Sequence, residues 1–135
     1  MLSEQKLVRF SGGLDATKFQ LWHADMLRTL DLEYVYFACD SPGGIEPLEK
    51  IVPLLSGFHR NQKRCYVLVG FSGASIAESQ RRCERVFALG FLPFAMLYQG
   101  PEMTKTRHSK EWRDFHRYWS RPAMYGKEMR AKYGS

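Results

Sequence analysis

The sequence predicts an α/β fold in which four βα units build a parallel four-stranded sheet. Four short apolar runs, rich in β-branched and aromatic residues, alternate with stretches of helical apolar periodicity. Each run stops at a polar or glycine-rich turn: Ser11-Gly12-Gly13, Cys39-Asp40-Ser41, Ser72-Gly73 and Gln99-Gly100. A strand–helix–strand alternation of this kind implies right-handed crossovers and parallel strands, which place all four turns on one edge of the sheet. A chain of 135 residues suits one domain with a real core but is short for a closed eight-stranded barrel.

Residues 6–11 read as the first strand, ended by Gly12-Gly13, and Asp15 or Thr17 can cap the helix that follows. Phe19, Trp22, Met26 and Leu30 recur at three- and four-residue steps, so that stripe is expected to face the sheet. Residues 33–39 form the second strand, closed by Asp40-Ser41-Pro42-Gly43-Gly44. Ile45, Leu48, Val52 and Leu55 mark the second helix, which Pro53 should kink or shorten.

The third strand, Arg64-Cys65-Tyr66-Val67-Leu68-Val69, ends at Gly70. Ser75 and Glu78 then stand in the S-x-x-E spacing of a capping box. Ile76, Cys83, Val86 and Phe87 give that helix its apolar stripe, Arg81, Arg82 and Arg85 are expected to face water, and Gly90 occupies the C-cap position. Residues 92–98 form the fourth strand, with Pro93 tolerated near its start. A helix over 109–120 carries Trp112, Phe115 and Trp119 on one face, and the polar, basic chain after Pro122 is expected to fray.

The charge is uneven. Residues 1–104 balance 11 Lys and Arg against 11 Asp and Glu, whereas residues 105–135 carry 9 against 3. The chain therefore divides into a βα core, 1–104, and a basic C-terminal helix and tail, 105–135, packed on the same domain. Lys105, Arg107, Lys110, Arg113, Arg117 and Arg121, interleaved with Trp112, Tyr118 and Trp119, could track a nucleic-acid backbone and stack on bases; the bland alternative is inward-packed aromatics and a solvated basic face. No apolar run reaches membrane-spanning length and no signal-peptide pattern opens the chain, so no membrane partner and a cytoplasmic location are expected. Cys39, Cys65 and Cys83 lack metal-ligand spacing and read as buried reduced thiols. None of the four histidines is paired at ligand spacing, and no nucleophile–base set can be assembled from strand-end positions.

Four segments stand in a familiar register: Phe10-Ser11-Gly12-Gly13-Leu14-Asp15, Tyr36-Phe37-Ala38-Cys39-Asp40-Ser41, Tyr66-Val67-Leu68-Val69-Gly70-Phe71 and the run from Leu89 to Tyr98. Together with Trp119-Ser120-Arg121-Pro122, they resemble the C-terminal half of a radical S-adenosylmethionine (radical SAM) barrel of the kind found in bacterial and phage reading frames. The resemblance implies half of a TIM-like barrel, completed by oligomerisation. It also implies a SAM-like pocket lined by Asp40 and Ser41 at the ribose, Gly70 and Phe71 beside the adenine, and Tyr98 and Gln99 on the wall. The chain departs from the family in the absent C-x-x-x-C-x-x-C motif, in Ser11-Gly12 for Asn-Gln, in Thr17 for Arg and in Ser72 for Asp.

Without the cluster cysteines the chain alone holds no cofactor; S-adenosylmethionine and a [4Fe-4S] cluster enter only if a partner supplies the cluster half. The leading expectation is a non-catalytic half-barrel that acts as a binding or assembly module. The alternatives are one half of a split radical SAM enzyme and a nucleic-acid-binding protein using the basic tail. Four parallel strands with every helix outside would leave one face bare and both edges unpaired. The chain is expected to solve this with helices on both faces, with a cap from the tail helix, or with a partner, either a second copy in a homodimer or another chain completing the barrel.

Overall fold

Strands β1 (Val8–Leu14), β2 (Leu32–Cys39), β3 (Lys63–Val69) and β4 (Leu92–Leu97) form one sheet in the order β1-β2-β3-β4, and every neighbouring pair runs parallel. The computed structural model describes residues 7–70, 74–98 and 108–134. The helices are α1 (Leu21–Arg28), α2 (Ile45–Ile51), α3 (Ile76–Ala88), α4 (Lys110–Trp119) and α5 (Pro122–Tyr133). A strictly sequential strand order with right-handed crossovers carries α1, α2 and α3 to the same side of the sheet. Burial agrees with that topology. Val35, Phe37, Cys39, Cys65, Val67 and Val69, the odd positions of β2 and β3, are buried in one core with Leu27, Leu48, Ile51, Val86, Phe87, Phe115 and Trp119. Helices on both faces, as in a doubly wound sheet, are therefore not the solution the chain uses.

Local sequence accounts for most element ends. Ser75 Oγ accepts the Glu78 N–H at 3.0 Å and starts α3. At the other end Gly90, with φ +102°, and the Phe91 N–H to Val86 carbonyl bond make a left-handed C-terminal stop. Pro53 converts the end of the second helix into a 3-10 turn over Val52–Leu55.

Three expectations are corrected. Gly12 and Gly13 lie inside β1 rather than after it, where a Cβ on Gly13 would sit 3.1 Å from that of Ala38. In α1, Phe19 precedes the helix and is buried, but Trp22, Met26 and Leu30 are exposed while Ala24 and Leu27 face the core. The cause is a 3-10 turn over Ala16–Lys18, capped by the Asp15 carboxylate, which delays α1 to Leu21 and changes its phase. The chain after Pro122 does not fray. Pro122 opens α5, and Tyr125, Gly126 and Met129 form a buried stripe hidden in the sequence by its polar neighbours.

Candidate functional site

The C-terminal edge of the sheet gathers the predicted pocket residues only in part. Asp40 and Ser41 are exposed, and Ser41 enters turn chemistry, its carbonyl accepting the Gly44 N–H at 2.9 Å. Gly70 turns with φ +79°, and a Cβ there would meet Leu97 Cδ2 at 3.1 Å and His108 Cε1 at 3.2 Å. His108 Nε2 donates to the Tyr98 carbonyl at 2.9 Å, while the Tyr98 N–H donates to the Val69 carbonyl at 2.8 Å. The imidazole of His108 thus occupies the space above Gly70 that the resemblance assigns to an adenine. Phe71 and Gln99 lie outside the described residues, as does Ser72.

Beneath this edge Arg82 is buried, contrary to the expectation that it faces water. Its Nε and Nη2 donate to the two carboxylate oxygens of Glu78 at 3.0 and 2.9 Å, and Nη1 reaches the Leu68 carbonyl at 2.7 Å. Burial opposes the guanidinium's charge, but the Glu78 carboxylate overrides it and the Arg82 pKa rises. This fork ties α3 to the end of β3. The i,i+4 spacing of Glu78 and Arg82 was the available signal, although it pointed equally to a surface pair.

The opposite face of the sheet carries the even positions of β2, β3 and β4. Tyr36 and Tyr66 stack with centroids 4.2 Å apart and planes at 14°. Tyr34 meets Tyr36 edge-on at 5.3 Å, and Phe94 lies 5.4 Å from Tyr36. The Arg64 guanidinium sits 4.4 Å over Tyr34 and 5.6 Å from Phe94. Tyr66 Oη donates to the Ser11 carbonyl at 2.9 Å, linking the platform to β1. Burial together with the neighbouring Tyr36 raises the Tyr66 pKa. These rings pack on one another, and Leu68 and Ala38 are only half-buried beside them while Met96 is exposed. The sequence carries a weak signal for this face, the two-residue spacing of Tyr34 and Tyr36 in β2.

The basic tail resolves into a solvated face and a packed one. Lys110, Arg113, Arg117 and Arg121 are exposed, with Lys110 Nζ 2.9 Å from Asp114; Lys105 and Arg107 lie outside the described residues. Of the rings among them, Trp112 and Tyr118 are half-buried and Tyr133 is 40% exposed. Trp119 and Tyr125 are fully buried, Trp119 Nε1 donates to Gln80 Oε1 at 2.8 Å, and Tyr118 Oη donates to Glu128.

Neither group implied by the resemblance fits the described residues. Cys39, Cys65 and Cys83 are fully buried, and burial pushes all three thiols up. Among the described residues no group of three or more His, Cys, Asp or Glu could hold a metal ion. S-adenosylmethionine would need the ring space that His108 fills. Among those residues, too, no helix is long and apolar enough to cross a membrane. Comparison with protein-family models, with curated proteins and with solved structures finds no match for this chain.

Proposed function

We propose that this chain is a non-catalytic half-barrel, related to radical SAM proteins, that works as a binding and assembly module. One observation carries the reading: an all-parallel sheet covered by helices on a single face, with a platform of Tyr34, Tyr36, Tyr66, Phe94 and Arg64 on the other. Parallel sheets are stable with both faces covered; here Tyr36 is buried by its neighbours, Tyr34, Tyr66 and Phe94 are half-buried and Met96 is exposed, so no helix of the described residues covers this face and an occupant can. The α/β topology and the buried, protonated cysteines support descent from a catalytic barrel without its chemistry. Anoxic reconstitution of the chain with iron and sulfide, followed by iron and labile-sulfide analysis, tests it. The expected result is no stoichiometric cluster; one [4Fe-4S] cluster per chain overturns the non-catalytic reading.

A second reading is favoured by one feature. Among the described residues nothing covers the flank formed by β1 and α1, where an earlier βα unit of a barrel would sit. In that reading the chain is the C-terminal half of a split radical SAM enzyme. It predicts cluster assembly only when a chain bearing C-x-x-x-C-x-x-C is present during reconstitution.

A further inference from the structure

Helix α1 has two apolar faces. Ala24 and Leu27 enter the core, whereas Leu21, Trp22, Met26 and Leu30 are 56, 57, 48 and 36% exposed. Beside them runs a groove of about 320 Å³ walled by Phe10 and Leu14 of β1 and by Phe19, Met26 and Leu30, with Asp15 and Lys18 also on its lining. Trp22 stacks on His23 at 3.7 Å, and His23 stacks on Phe19 at 5.5 Å, so a braced ring projects next to an apolar hollow. Three large apolar side chains exposed on an eight-residue helix, with Leu30 just past its end, are more than a monomer's scattered surface residues.

We propose that a second copy of this chain docks on this flank about a two-fold axis, with Trp22 of each copy entering the groove of the other. The proposal rests on the assembly reading above and gives it a partner, seated on the β1–α1 flank and not on the aromatic platform. A two-fold interface uses the same patch on both copies, so the patch must hold both projection and receptor; Trp22 and the groove supply the two. Its charges permit this. Asp15 and Lys18 share the lining, so the patch carries no net charge and a second copy meets no single-sign surface.

The other end of the sheet is less open. The Tyr98 N–H bonds β3, so Pro93, Ala95 and Leu97 point to the outer edge of β4; there Pro93 lacks a donor and its carbonyl takes the Tyr125 hydroxyl at 2.5 Å. Helices α4 and α5 pack along that strand. The ladder between β1 and β2 has two register shifts, an irregularity in β1 that disfavours pairing of a further strand along it, so docking runs through the side chains of α1 and the groove.

Light scattering and sedimentation equilibrium of the full chain at micromolar concentration test this. The wild type is expected at twice 15.7 kDa. Trp22→Glu combined with Met26→Glu should weaken self-association roughly 30-fold or more, the loss expected of a central aromatic anchor, with an unchanged far-UV circular dichroism spectrum because both side chains are exposed in the single chain. Met96→Glu, on the bare sheet face, should leave association at the wild-type level. A wild-type monomer of 15.7 kDa overturns the proposal, as does association that ignores the Trp22→Glu/Met26→Glu change. Loss of association in Met96→Glu alone overturns the placement while leaving an assembly module in place. Cluster loading reports on the non-catalytic reading independently of all three.

Discussion

Gly70 is the residue on which the packed end of β3 depends, for two separable reasons. Its φ of +79° lies where an L side chain is strained, and a Cβ would press Leu97 and His108 at 3.1 and 3.2 Å. Gly70→Ala should cost about 2 kcal/mol and lower the melting temperature by several degrees. Adding His108→Ala should recover the steric part of that loss and leave the backbone part, which a double-mutant cycle by thermal denaturation resolves. The glycine was legible because a Gly closing an apolar run marks a special turn. The imidazole over it was not, because His108 is remote from Gly70 in the sequence and no local pattern ties the two. Arg82 taught the same lesson in reverse. An arginine on a helix reads as solvated until the strand carbonyl it clamps is in view.

Among the elements, α5 departs furthest from its sequence appearance, and one carboxylate fastens it. Glu84 of α3 accepts from Lys132 Nζ at 2.6 Å, Tyr133 Oη at 2.5 Å and Gln80 Nε2 at 2.5 Å. Burial would raise the Glu84 pKa, but the hydrogen bonds from Lys132, Tyr133 and Gln80 prevail and hold it below the ordinary 4.5. A carboxylate whose folded pKa lies below its unfolded value contributes its full stabilisation above that unfolded value, here 4.5, and loses it as the pH falls through the lower folded value. Hydrogen exchange should therefore show α5 losing protection below pH 4.5, ahead of the sheet, and Glu84→Gln should remove that pH dependence. Retention of full α5 protection into strong acid would count against the tether. Helix α1 shows what periodicity conveys and what it leaves open. The three- and four-residue spacing marked a helix correctly, but which stripe faces inward depends on where the helix starts, and the Asp15-capped turn before Leu21 moved that point.

At the scale of the molecule, the sequence carried the four βα units and their parallel pairing, since each depends on local apolar runs and on crossover handedness, whereas the first of the expected turns, Ser11-Gly12-Gly13, lies inside β1. The way the faces are used was less legible, because alternation within a strand says which residues share a face and not which face a helix covers. Strand order 1-2-3-4 settles this by placing the helices between strands on one side, which leaves Tyr34, Tyr36, Arg64, Tyr66, Phe94 and Met96 on the other. The central claim, one covered face and one bare face, is open to a direct chemical test. All three native cysteines are fully buried, whereas Met96 is 48% exposed on the bare face. Titration of the native protein with a thiol reagent should find no reactive cysteine in the wild type and one in the Met96→Cys variant, with three and four after unfolding. An unreactive thiol in folded Met96→Cys, or fast labelling of Cys39, Cys65 or Cys83 in the native wild type, would contradict the account.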